Sequence, residues 1–336
     1  MKELANHIKS RKFSSLYLLF GQEAYLVRLY ESRLREAIIG APGSTAEAMN
    51  LDIFEGKNVS AEQVDLRANT LPFMNEKRLL IIRDSGLFAP GRKDESERIY
   101  RFFENLPPDA VTIFIESNVD KRSKTYKQAL KSGTVTEFTT PTDKDLVVWL
   151  TRTLKDQGKA ISASDALLLL RYTSYDMHTA AREALKLAAY MGDAPSVTAA
   201  HIEAVCVKST QARIFDLVDA VAIRDAALAL SQLDNMLAAK ESPLMILSMI
   251  ARQFRIMLMC KECNRLGLNL EDTVAATGLR GFMVSAALRQ AKPFTQAALV
   301  GALHNCADID HRIKTGRITD RLALELLIIT HCNTQV

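Results

Sequence analysis

The first 140 residues alternate short apolar runs with segments of helical periodicity. Leu16 to Phe20, Leu79 to Ile82 and Val111 to Ile115 are almost unbroken, as strands covered on both faces are, and weaker runs lie near Met49 to Phe54 and Thr134 to Phe138. Between them, Glu23 to Ile38, Ala61 to Asn69, Glu95 to Asn105 and Ser123 to Lys131 have helical character. Strand and helix in turn predict a parallel α/β sheet with right-handed crossovers. The pattern changes at Thr139-Thr140-Pro141, after which strand signals vanish. Thr142 and Asp145 are spaced as a capping box, Gly158 stands where a helix would end, Ser162 and Thr198 suit helix starts, and Gly192 closes the segment DMHTAAREALKLAAYM. From Ser209 onward IFDLVDAV, AALALSQLDNMLAA, LMILSMIARQFRIMLMCKECNRL, FMVSAALRQA, QAALVGALHNCADIDHRI and RLALELLIITH repeat apolar residues at three- and four-residue spacing, which predicts a bundle of five or six helices. The expected division is an α/β domain over 1–141, a small module of about four helices over 142–208, and an all-α bundle over 209–336.

Composition adds exclusions. With 48% hydrophobic and 24% charged residues in 336, the chain belongs to no disorder-rich class. Its cysteines, Cys206, Cys260, Cys263, Cys306 and Cys332, are odd in number and confined to the helical part, which argues against a disulfide framework. The segment MKELANHIKS does not resemble a signal peptide, and the apolar runs fall far below the roughly 18 to 20 residues of a membrane span. A cytoplasmic location without membrane contact is the expectation. A net charge of +4, from 43 basic and 39 acidic residues, does not by itself mark a nucleic-acid binder.

Candidate chemistry is sparse. Gly21 to Leu26 follows the first strand, where a nucleotide-binding α/β domain keeps its phosphate loop, but it offers one glycine, no lysine and no serine or threonine to cradle phosphate and Mg²⁺. Asp84 ends a strand as the metal-holding acid of an NTPase does, yet Ser85 follows where a second acid would act, so a strand-end role is favoured. Cys260 and Cys263 form a CxxC inside a helical pattern with no second ligand pair, and His304, Cys306, Asp308 and His311 scatter around their helix. No metal, cofactor or catalytic residue is expected.

Two basic stretches and one apolar tripeptide remain. Lys121, Arg122, Lys124, Lys127 and Lys131 form a run with no acid between Asp120 and Glu137, and Arg280, Arg289 and Lys292 lie in a second window without acids. Such clusters near helix starts suit phosphate contacts, or else form solvated helix faces. In Thr70-Leu71-Pro72-Phe73, Pro72 forbids helix continuation and biases Leu71 towards an extended backbone. Leu71 and Phe73 therefore either project as a docking element or fold back as a turn plug under the sheet, and the charged Glu76, Lys77 and Arg78 favour a solvent-facing loop.

Four segments together resemble the delta subunit of the bacterial DNA polymerase III clamp loader: LYLLFGQEAYL, TLPFMNEKRLLIIRD, the run Asp120 to Lys127, and IFDLVDAV with the later ESPLMILSMIARQFRIML. The resemblance extends over nearly the whole chain in order. It implies a degenerate AAA+-like α/β domain without nucleotide binding, a helical lid and a C-terminal helical collar that oligomerises. It implies no intrinsic catalysis. The chain would bind and open the β sliding clamp for loading onto primed DNA, within a hetero-pentamer containing gamma or tau ATPase subunits and delta-prime, as part of a DNA-directed DNA polymerase holoenzyme. The positions matching the family's clamp-binding element are Thr70, Leu71, Pro72 and Phe73, with Pro72 standing where some members carry a bulkier aliphatic; DNA contact is assigned to Lys121, Arg122, Lys124, Arg280 and Arg289. The competing readings are a nucleotide-binding AAA+ ATPase acting as a remodeller, and a scaffold that never meets a clamp.

Overall fold

The computed structural model describes residues 2–333, which divide into two compact units at the boundary between Thr140 and Pro141. The first unit runs α1 (Lys2–Ser10), β1 (Leu16–Gly21), α2 (Ala24–Ile39), α3 (Thr45–Asn50), β2 (Leu51–Glu55), α4 (Ala61–Ala68), β3 (Arg78–Arg83), α5 (Lys93–Glu104), β4 (Ala110–Glu116), α6 (Lys124–Ser132) and β5 (Thr134–Phe138). The five strands form one parallel sheet in the order β2-β3-β4-β1-β5, as the apolar runs predict. Strict alternation fails at α3, which directly follows α2, and α1 is a further helix ahead of the first strand. Both are short: α1 buries only Leu4, and α3 has six residues with no buried apolar side chain.

Successive strand residues serve opposite layers. Leu16, Leu18, Phe20, Leu80, Ile82 and Phe114 pack with residues of α4, α5 and α6, where Phe88 and Phe103 meet Phe114 edge-on at 5.3 and 5.5 Å between ring centres. Tyr17, on the other side of β1, bonds His7 of α1 at 3.0 Å. The start of α4 is anchored from outside itself. Glu95 Oε2 accepts from the Ala61 amide at 2.6 Å, and Arg92 donates to the carbonyls of Val59 and Ser85 at 2.8 Å each.

The second unit begins with α7 (Asp143–Lys155), β6 (Ala160–Ile161), α8 (Ala163–Tyr172), α9 (Met177–Tyr190), β7 (Ser196–Val197) and α10 (Ala199–Val205). The Thr142–Asp145 capping box and the Ser162 cap form where their spacing predicts. Strand structure does not vanish beyond residue 141, however, because β6 and β7 pair in parallel over two residues each. Pieces this short carry no alternation to read.

The remainder is α11 (Thr210–Ala222), α12 (Ala226–Ala238), α13 (Pro243–Arg265), α14 (Leu270–Thr277), α15 (Gly281–Ala291), α16 (Gln296–Lys314) and α17 (Asp320–Asn333). That makes seven helices among the described residues where five or six were expected. The addition is α14, eight residues capped by Asn269 with only Thr273 buried, too short for a repeating apolar stripe to mark it. By length and composition α13 could cross a membrane, contrary to the reading from apolar runs, because two arginines interrupt the run but not the helix. Its Ile246, Ile250, Phe254, Met257 and Cys260 are core residues of the bundle. Cys260 is buried and its thiol is pushed up to about 11 by that burial and by Cys263.

Candidate functional site

At the carboxyl ends of the strands, where an open α/β sheet usually takes its ligand, the chain makes close contacts with itself. Gly21 ends β1 at φ +132°, and a Cβ there would lie 2.3 Å from the Phe138 carbonyl oxygen. The glycine thus serves close passage of β5, and the Glu23 amide donates to the same carbonyl at 3.2 Å. Asp84 stands at φ +48° and accepts from the Ser117 amide at 3.0 Å and hydroxyl at 2.6 Å. It is a strand-end residue tying two loops together. Glu116, which the sequence reading passed over, is buried and accepts from the Ser85 amide at 3.1 Å, the Ser85 hydroxyl and the Gly86 amide at 3.0 Å. Burial raises its carboxyl pKa against the pull of those donors. An acid ending a fully buried strand was its only signal in the sequence.

Thr70 to Phe73 lie at the opposite edge. The loop leaves α4 and enters the start of β3, so it belongs with the amino ends of the parallel strands. The helix ends in local bonds: the Asn69 amide to Asp65 O at 3.0 Å, the Thr70 amide to Arg67 O at 3.2 Å, and the Thr70 hydroxyl to Leu66 O at 3.1 Å. Pro72 then prevents another turn. Leu71 is 76% exposed, Phe73 55% and the following Met74 93%. The turn-plug arrangement is not adopted. A protein surface seldom presents three large apolar side chains within four residues without a partner for them.

The main chain beneath these side chains is held. Asn50, at the end of α3 and fully buried, accepts from the Phe73 amide at 2.6 Å and donates to the Phe73 carbonyl at 3.0 Å. Met74 takes the left-handed conformation at φ +51°, and Asn75 donates to Lys77 O at 3.0 Å. Arg78 departs from expectation. It is buried, not solvent-facing, and its guanidinium is paired with Asp52 of β2 at 2.6 and 2.8 Å.

The basic residues are placed unevenly. Lys121 donates to Glu137 at 2.6 Å and lies 5.7 Å from the Phe20 ring centre; Arg122 donates to Asp120 at 3.2 Å. The acids flanking the run therefore fold back onto its first two members, and the Glu137 bond raises the Lys121 pKa. Lys124, Lys127 and Lys131 are exposed on α6, whose first turn is capped by Ser123. In the second unit Arg280 donates to the Tyr175 carbonyl at 2.7 Å and acts on Asp143, while Arg289 is exposed beside a cavity of about 410 Å³ lined also by Arg171, Tyr172 and Lys208. Among the described residues no three His, Cys, Asp or Glu side chains converge to hold a metal ion.

An α/β unit built on five parallel strands is followed in the chain by a mainly helical unit. Residues 17–139 match the model of the DNA polymerase III delta subunit and residues 211–331 that of its C-terminal domain, and the chain belongs to this family. Over 329 residues, spanning 96% of the chain and 94% of the relative, it is 24% identical to the DNA polymerase III subunit delta of Bacillus subtilis. It is 21% identical, over 79% of its length and 76% of the relative's, to the probable DNA polymerase III subunit delta of Aquifex aeolicus. Its fold is that of the Bacillus subtilis DNA clamp loader delta protein, with a TM-score of 0.79 and 99% of each chain covered at 23% identity.

Proposed function

We propose that this chain is the clamp-binding wrench of a bacterial clamp loader, a cytoplasmic, non-catalytic subunit that grips and opens the β sliding clamp so that it can be placed on primed DNA. The observation that carries the proposal is the exposure of Leu71 and Phe73 on a loop whose backbone is fixed, in a member of the delta family. Thr70 and Pro72 set the loop's exit from α4, and Leu71 and Phe73 enter an apolar pocket of the clamp, each contributing on the order of 2 kcal/mol when fully buried. A contact that fits the open ring better than the closed one shifts the clamp's population towards open.

ATP then acts only through partners, the gamma or tau subunits and delta-prime, joined in a hetero-pentamer through the collar. The AAA+-like domain of 1–141, the lid of 142–208 and the collar of 209–336 are the proposed modules. Primed DNA is met by Lys121, Arg122 and Lys124 at the start of α6 and by Arg289; Arg280, already bonded to the Tyr175 carbonyl, is the least available of the basic candidates. A clamp carrying a donor–acceptor fluorophore pair across its subunit interface tests the opening step. Adding this chain without ATP is expected to lower energy transfer, and unchanged transfer at saturating chain would refute the wrench.

A further inference from the structure

Asn50 lies outside the exposed tripeptide, yet its side chain meets both main-chain groups of Phe73, 23 residues away. One residue of an antiparallel ladder makes the same exchange with its opposite number, accepting from its N–H and donating to its C=O. Here a side-chain amide plays the neighbouring strand. The second Nδ2 hydrogen goes to Ala46 O at 2.8 Å, so the amide is fixed to its own helix while it holds the loop. The Asn50 side chain is itself fully buried, so leaving its amide unpaired would be costly.

We infer that Asn50 is the positioning residue of the docking loop, holding Phe73 and Leu71 in their projecting arrangement before a partner arrives. The physical need is plain. Exposed Leu71 and Phe73 gain from collapsing onto the nearest apolar surface, and a loop free to move would let them do so. Fixing the Phe73 amide and carbonyl removes that freedom, and Met74 just beyond is kept in a left-handed conformation that non-glycine residues seldom take. Binding then orders fewer groups, and the affinity rises by the cost avoided. Asparagine is specific to the task. Aspartate keeps the shape and the acceptor but sets an oxygen against the carbonyls of Phe73 and Ala46; alanine loses all three bonds.

The inference rests on the proposed docking of Leu71 and Phe73 with the β clamp, and a double-mutant cycle separates the two. Full-length wild type, Asn50→Asp, Phe73→Ala and the double variant are titrated with the β clamp. Asn50→Asp is expected to weaken binding about tenfold in the wild-type background and by less than about threefold once Phe73 is alanine, because its action runs through that side chain. Equal losses in both backgrounds, or no loss in either, overturn the inference. Undiminished binding by Phe73→Ala overturns the docking reading first. Should Asn50→Asp fail to fold, hydrogen exchange at the Phe73 amide of the wild type decides. Protection beside an exposed side chain supports the inference, and exchange at the rate of an open loop overturns it.

Discussion

At Gly21 two constraints coincide, a backbone at φ +132° and a neighbouring carbonyl where any Cβ would fall. Gly21→Ala must either shift β5 or distort the end of β1, and the expected loss is about 3 kcal/mol, read as a fall in the urea midpoint; a change below about 0.5 kcal/mol would contradict the packing account. His331 carries a second residue-scale prediction. It is buried on α17 against Phe254 with Asn305 at 3.5 Å, and burial lowers its pKa below the ordinary 6.5. The unfolded chain then binds the proton more readily, so stability is retained above 6.5 and lost as the pH falls below it. His331→Leu should lose less stability than wild type between pH 7.5 and pH 5.5; equal losses would remove His331 from the acid sensitivity. These details differ in how readable they were. Gly21 stood out in the sequence but suggested a failed phosphate loop, whereas Asn50 gave no signal, since its partners come from a segment that only the fold brings near.

Elements were legible where they were long enough to repeat a period. All five strands of the first unit follow from their apolar runs, and the Thr142 capping box marks α7 to the residue. Short elements escaped for the same reason, α3 with its six residues and α14 with eight among them. Charge patterning misled at both ends of the argument. Arg78 reads as a solvent residue but is neutralised across the sheet by Asp52, and Lys121 reads as an open cation but lies against Glu137. Lys124 and Lys127 stand exposed on the first half of α6, so the charge reversals Lys124→Glu and Lys127→Glu should lower the assembled loader's affinity for primed DNA and reduce the salt slope by about 1 to 2. An unchanged slope would assign α6 to solvent alone.

Across the whole molecule the sequence order of the units is also the order of the family's domains, with residues 17–139 and 211–331 matching its two models. The fold class was readable because a parallel sheet and a helical bundle write different periods into the chain. The candidate site was readable only in part. Pro72 and its apolar neighbours could be found, but their exposure depends on the bonds that hold Phe73 from beneath. At the carboxyl edge of the sheet Asp84 and Glu116 tie together the loops that follow β3 and β4, and the proposed docking loop stands at the amino edge. The most direct measurement is the equilibrium affinity of the full-length chain for the β sliding clamp, taken beside a Leu71→Ala, Phe73→Ala variant whose unfolding midpoint matches wild type. The account predicts a loss of about a thousandfold, two buried anchors of roughly 2 kcal/mol each. Equal affinity of the two proteins would contradict it.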